Sequence, residues 1–227
     1  MWLEAVYNPT SLFSLRKSDA TSPAAKTLLS PSPYAVKMAL INAAITFFSK
    51  EFAINNFNLI RDMEIRFCMP EYLCVNNCFI KIQKEPKDKK SDNAFQPTVA
   101  FREYVYFDGP IKILFNINND EELNLIKSLL VRINYFGKRG CFFQIVDFNL
   151  YRDNAILEGY SFLFSENVLD INKEMILIKM DDFDFDVTFD EINTYSDEKV
   201  KRRSSIYCFC YKQLKANKNF TLYKKSV

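Results

Sequence analysis

Residues 135–144 read YFGKRGCFFQ. In a chain with only 4 glycines, Gly137 and Gly140 bracket Lys138 and Arg139. A glycine on each side permits conformations and close approaches that a Cβ would block. Successive amides in such a turn can form a nest for an anion, and Lys138 and Arg139 would add charge-assisted contacts to phosphate. A helix ending here would present its C-terminal end, whose dipole does not favour an anion. The plainer reading is a helix-to-strand turn with Gly137 at C′ and a solvated Lys-Arg pair.

Two further basic segments are candidates for phosphate contact. The loop NPTSLFSLRKSDATSPAAKTLLSPSPY places Arg16, Lys17 and Lys26 among small hydroxyl residues, suited to tracking a phosphate backbone without reading bases. It is long for a connection between elements, and such loops are functional or simply flexible. KVKRRSS (199–205) supplies Lys199, Lys201, Arg202 and Arg203; it reads as a solvated hairpin turn. By contrast DDFDFDVTFDE (181–191) alternates Phe183, Phe185, Val187 and Phe189 with Asp182, Asp184, Asp186 and Asp190. That pattern predicts a half-buried strand with a carboxylate face, solvated or turned to a basic protein and pointing away from any nucleic-acid groove. An EF-hand is excluded because the loop glycine is missing.

Composition narrows the chemistry sharply. The chain has 227 residues, no histidine and a net charge of +2. Every Ser-His, Cys-His or histidine acid/base mechanism is therefore excluded, leaving only Lys, Tyr or carboxylate chemistry. A near-neutral total means that any nucleic-acid surface must be local. The six cysteines contain no C-x-x-C pair and sit in apolar runs, as reduced buried thiols do. Cys74 and Cys78 have no histidine with which to complete a metal site. The sequence thus predicts no metal, no cofactor and no catalytic residue. Apolar stretches break within about ten residues, well short of a bilayer span, and Glu4, Asn8 and Pro9 interrupt the start. The expectation is a soluble cytoplasmic protein with no membrane partner.

These residues need elements to position them. MWLEAVY (1–7) reads as a buried central strand. Ser32 is a candidate N-cap with Pro33 at N1 of a helix whose buried positions are Val36, Leu40, Ala43, Ala44 and Phe47. MEIRFCM and EYLCVNNCFIKIQK read as strands, with Asn76-Asn77 a possible turn, and EPKDKKSDN as a loop. REYVYFDGPIKILFNI returns to strand, interrupted at Asp108-Gly109-Pro110. A second helix is capped by Asn119, with Glu122 closing a capping box and Leu123, Ile126, Leu130 and Ile133 facing the core. CFFQIVDFNLY is a strand. The order is strand, helix, strand, strand, helix, strand, the split βαβ or ferredoxin-like pattern shared with RNA-recognition folds. Beyond residue 150, GYSFLFSEN, MILIKM, FDFDVTF, IYCFCYK and FTLYKK read as short strands. The division is a ferredoxin-like α+β domain over 1–150 and a small antiparallel β extension over 151–227.

The N-terminal strand, the long loop, the S-P-S-P-Y-A-V-K-M-A-L helix entry and the late GKRG turn together resemble the RAMP proteins of CRISPR systems. Within them the match is to the small handle-binding subunit of type I Cascade complexes, the Cas-five family. The resemblance implies a ferredoxin-like domain with a hairpin protruding between its second and third strands, here within about residues 70–100 around Lys84, Lys87, Lys89 and Lys90. It implies capping of the 5′ handle of the crRNA, contacts with the large subunit and backbone subunits, and a position near the PAM of target DNA. The family's glycine-rich turn maps to Gly137, Lys138, Arg139 and Gly140. One branch of the family cleaves precursor RNA with a catalytic group that includes histidine, which this chain lacks.

The leading expectation is a non-catalytic RNA-binding subunit. Arg16, Lys17, Lys26, Gly137, Lys138, Arg139 and Gly140 would hold the RNA, with Tyr135, Phe142 or Phe143 stacking a base. Because Phe142 and Phe143 point to opposite faces of a strand, at most one can stack. Two alternatives stay open: a metal-independent endoribonuclease using Tyr and Lys, and a protein-only structural adaptor.

Overall fold

The computed structural model describes residues 1–20, 26–86, 94–164, 174–192 and 200–226. In chain order its strands and helices are β1 (Trp2–Pro9), α1 (Pro33–Phe47), α2 (Lys50–Asn55), α3 (Phe57–Asp62), β2 (Ile65–Cys68), β3 (Tyr72–Lys84), β4 (Gln96–Phe107), β5 (Ile111–Asn116) and α4 (Asp120–Leu130). They continue as β6 (Phe143–Tyr151), β7 (Phe162–Leu163), β8 (Ile176–Phe183), β9 (Arg202–Phe209), β10 (Tyr211–Ala216) and β11 (Phe220–Lys225). The described residues are mixed α and β, with three antiparallel sheets.

The first apolar run is a strand because both its faces are covered: β1 is buried from Trp2 to Tyr7. It lies between β5 and β6, antiparallel to both, and β2 closes the sheet in the order β2-β5-β1-β6. On one face α1 lays Val36, Leu40 and Ala44 into the core. Its start is fixed as the sequence dictates: Ser32 Oγ accepts from the Ala35 amide at 3.2 Å and Pro33 occupies the first turn. Such a cap is typically worth about 1 kcal/mol. Phe47, predicted to be buried, is 56% exposed; the last turn of α1 has its ring under the Arg132 guanidinium instead. In α4, Asn119 caps the Glu122 amide, but Glu122 reaches back to the Asn118 amide at 2.9 Å, one residue earlier than a capping box would place it.

The other face of this sheet is closed as well. Trp2, Leu114 and Tyr160 form a second small core. Buried Glu4 accepts from Asn149 Nδ2 at 2.9 Å and from the Tyr160 hydroxyl. The sheet face on which an RNA-recognition domain stacks bases is therefore occupied by the segment around Tyr160.

The chain breaks at Asp108-Gly109-Pro110 as predicted, and there it changes sheet. β3 and β4 form a long hairpin, paired from Leu73↔Phe107 to Lys84↔Gln96. Asn76 and Asn77 are not a turn: both lie in β3, opposite Tyr104 and Glu103. Their turn preference is overridden by ladders on both edges, because β11 pairs with Tyr72–Asn76 and the Asn77 amide donates to Asn219 O at 2.7 Å. The second sheet is thus β10-β11-β3-β4, built from middle and end of the chain. Beyond Asn77 the hairpin extends past β11, with Phe79 and Phe101 in contact and exposed. Lys87, Lys89 and Lys90 lie outside the described residues, as does Lys199.

The third sheet, β7-β9-β8, packs on α1 through Met180 and Phe183. The acidic run does not continue it. Only Asp181, Asp182 and Phe183 are in β8. The Asp182 and Asp184 carboxylates each accept from the next residue's amide at 2.8 Å, local bonds that compete with a ladder and turn the chain. Nor is KRRSS a solvated turn, since Arg202–Ser205 belong to β9 opposite β8. No described helix is long and apolar enough to cross a membrane.

Candidate nucleic-acid interface

The long loop after β1 is pinned at several points. Phe13 is fully buried and exchanges backbone hydrogen bonds with Val105 of β4 at 3.0 and 2.7 Å. Residues 15–17 and 26–28 lie side by side: the Lys17 amide donates to Lys26 O at 3.0 Å, and the Leu28 amide to Leu15 O at 2.8 Å. Thr27 and Lys26 are tied to β4, where Glu103 accepts from the Thr27 amide at 3.0 Å and from Lys26 Nζ at 2.5 Å. Lys26 is consequently a neutralised cation rather than a free one.

The GKRG turn is the loop's docking partner. α4 ends at Leu130, so Gly137 is not its C′ residue and the helix C-terminus does not reach the turn. Gly137 and Gly140 adopt φ +73° and +100°, the left-handed side that glycine tolerates. A Cβ on Gly137 would stand 2.8 Å from Leu15 Cδ1. Ser11 Oγ donates to Gly140 O at 2.8 Å and accepts from the Phe142 amide at 2.7 Å.

Together the loop and the turn frame an open cavity of about 410 Å³. Arg16, Gly137 and Lys138 line one side. Lys179 and Asp181 of β8 and Arg202 of β9 line another, and the first turn of α1 (Ser32, Tyr34, Ala35) lies between. Four cations thus converge from segments far apart in sequence. α1 carries no acidic residue in its first turn, so no residue of the 15-residue helix itself offsets its positive end. Arg202 lies 3.9 Å over the Tyr34 ring and donates to its hydroxyl at 3.2 Å, which fixes the guanidinium plane. Arg16 is held by a 2.8 Å bond to Ala20 O.

Of the residues singled out from sequence, Arg16, Gly137 and Lys138 meet in this cavity. Lys17, Lys26, Arg139 and Gly140 do not line it. Phe143 is core, packed on Phe13, Phe107 and Phe136, while Phe142 is exposed on the opposite side. Sequence reading missed Tyr34 and Lys179, and it set Arg202 aside as part of a solvated turn. The alternation in MILIKM marks Lys179 as outward-facing, while the β8–β9 register sets Arg202 opposite Phe183 and diagonal to Asp181. The acidic run does not point wholly away: Asp181 stands in the cavity wall, accepting from Ser18 and Ser204 hydroxyls at 2.9 Å.

No family model matches the chain. Over 137 residues it is 29% identical to the CRISPR-associated protein Cas5 of Archaeoglobus fulgidus, a span covering 60% of this chain and 56% of that relative. Across that span the chain is similar to that Cas5 protein. It therefore matches little more than half the length of the Cas5 protein. Among solved structures, a CRISPR protein from Archaeoglobus fulgidus is similar at a TM-score of 0.45 and 9% identity, over 100% of this chain and 92% of that one. A chain of a type III-B Cmr-beta complex bound to cognate target RNA and AMPPnP gives 0.46 and 13%, over 97% and 86%. A chain of a CRISPR RNA-guided surveillance complex gives 0.44 and 13%, over 92% and 88%. Likenesses this loose establish nothing about the site.

Proposed function

We propose that this chain is a crRNA-binding subunit of a CRISPR ribonucleoprotein. In its finer form, the proposal is the subunit that caps the crRNA 5′ handle in a cytoplasmic type I Cascade complex, between the large and backbone subunits and near the PAM of target DNA. The observation that carries it is the convergence of Arg16, Lys138, Lys179 and Arg202 on the N-terminal end of α1, in a chain homologous to Cas5. Cations gathered at the positive end of a helix suit phosphate, and a fixed arginine plane suits a splayed base. The sheet order β2-β5-β1-β6, with helices following its first and third strands, supports a ferredoxin-like core, with residues 151–227 as its β extension. The protein acts by binding, without catalysis; the absence of histidine supports this.

The test is to coexpress the chain with its genomic neighbours, purify it and sequence the RNA that copurifies. Repeat-derived RNA sharing one 5′ handle, lost on Arg16→Glu with Lys138→Glu, is the expected result. An indiscriminate RNA mixture, or protein assembly indifferent to nuclease and to both substitutions, would overturn the reading. Cleavage of repeat RNA by the purified chain in EDTA would overturn its non-catalytic part.

A further inference from the structure

One charged group on the cavity wall has the wrong sign for a simple phosphate site. Asp181 stands among Arg16, Lys138, Lys179 and Arg202. It is held deliberately in place: Oδ1 accepts from Ser18 Oγ of the long loop and from Ser204 Oγ of β9, each at 2.9 Å. Its side chain is only 13% exposed. Oδ2 lies 3.8 Å from Arg202 Nη1, beyond hydrogen-bond length. An ionised carboxylate offers about four acceptor positions and no donor, so acceptor capacity remains on the wall.

Such a group weakens binding of a bare anion by like-charge repulsion. The loss is offset only when the ligand brings an O–H or N–H donor beside its phosphate. A nucleotide does so in two places, the ribose 2′-hydroxyl and the amino group of a base such as cytosine. Inverting the sign at one point of a cationic site is how discrimination is gained at the expense of affinity.

We propose that Asp181 makes this cavity selective for a nucleotide presenting a hydrogen-bond donor next to its phosphate, rather than for phosphate as such. The inference rests on the nucleic-acid reading above.

The test uses the full chain, its Asp181→Ala variant and short 3′-labelled single strands of oligo-rC, oligo-rU and oligo-dC. Ser18 and Ser204 are exposed, so the variant should keep the wild-type melting temperature. The wild type should prefer rC several-fold over rU if the donor is the base amino group, or over dC if it is the 2′-hydroxyl. In Asp181→Ala that preference should vanish while the weakest strand binds a few-fold tighter. If the wild type binds all three strands alike, or if Asp181→Ala keeps the wild-type ratio, the inference is overturned and the nucleic-acid reading stands. If the wild type binds no strand at all, both fall together.

Discussion

Gly137 and Leu15 touch across more than half the chain length: a Cβ on the glycine would stand 2.8 Å from Leu15 Cδ1. This contact seats the loop that carries Arg16 on the turn that carries Lys138. Gly137→Ala faces two penalties, a left-handed backbone at φ +73°, worth about 1–2 kcal/mol, and displacement of Leu15. At Gly140, φ is +100° but a Cβ would meet nothing within 4 Å, so Gly140→Ala faces the first alone. Urea unfolding should rank Gly137→Ala as the less stable, and only Gly137→Ala should weaken RNA binding. Equal stability and equal binding would mean that the contact does not set the loop.

The third sheet is held to α1 by a buried ion pair. Lys37 Nζ lies 2.8 Å from Asp182 and donates to Arg61 O at 2.7 Å; both side chains are almost fully buried. Arg203 supports the same carboxylate at 3.1 Å. Asp182→Ala strands a buried lysine and should cost about 3–5 kcal/mol. Lys37→Met should cost markedly less, because Asp182 keeps Arg203. Comparing the two denaturation midpoints checks the order. Since Lys179, Asp181 and Arg202 ride on β8 and β9, Asp182→Ala should also reduce RNA affinity at temperatures where it remains folded.

How much of this was written in the sequence can be seen at particular residues. β1 was legible because its run of apolar residues stops at Asn8-Pro9, and α1 and α4 because Ser32 and Asn119 are local caps. Lys37 was not, since a buried lysine has no local signature and its partner is 145 residues away. Asn76-Asn77 misled because strands on both sides outweigh a local turn preference. The acidic run misled in the other direction: an alternating pattern was broken by Asp side chains bonding the adjacent amides. Arg16 and Lys138 were legible as basic residues on a loop and a turn. Their meeting with Lys179 and Arg202 depends on how β8 and β9 pair and dock on α1, which no local pattern encodes.

Alkaline pH should unfold the protein steeply. Tyr7, Tyr160 and Tyr211 all have their pKa pushed far above the ordinary 10.0, chiefly by burial, with Glu4 adding to the effect at Tyr160. The folded value lies above the unfolded one, so the native state retains protons that the unfolded chain releases. Their contribution is fully present below pH 10 and is lost as pH rises beyond it. Each tyrosine contributes a slope of about 1.4 kcal/mol per pH unit, so the three together give roughly 4. Stability measured in urea should be flat with respect to these groups up to about pH 9 and fall sharply above 10. Tyr7→Phe, which also gives up a bond to Leu130 O at 3.0 Å, should be less stable at neutral pH yet decline less steeply. An unchanged slope would mean that Tyr7 ionises in the folded protein.

If the chain binds RNA as proposed, salt dependence should separate the cations that face the strand from those that merely sit nearby. Each phosphate contact on a single strand contributes about 0.7 to the slope of log affinity against log salt. Arg16→Gln and Lys138→Gln should each lower the slope by about that amount, because both side chains line the cavity. Lys26→Gln should change it little, since Lys26 already neutralises Glu103 at 2.5 Å, and Arg139→Gln should fall between, as an exposed charge outside the cavity. Fluorescence anisotropy of a labelled single strand across a salt series measures all four. A full loss of slope on Lys26→Gln would relocate the RNA path to β4 and the long hairpin, because that is where Glu103 holds the Lys26 side chain.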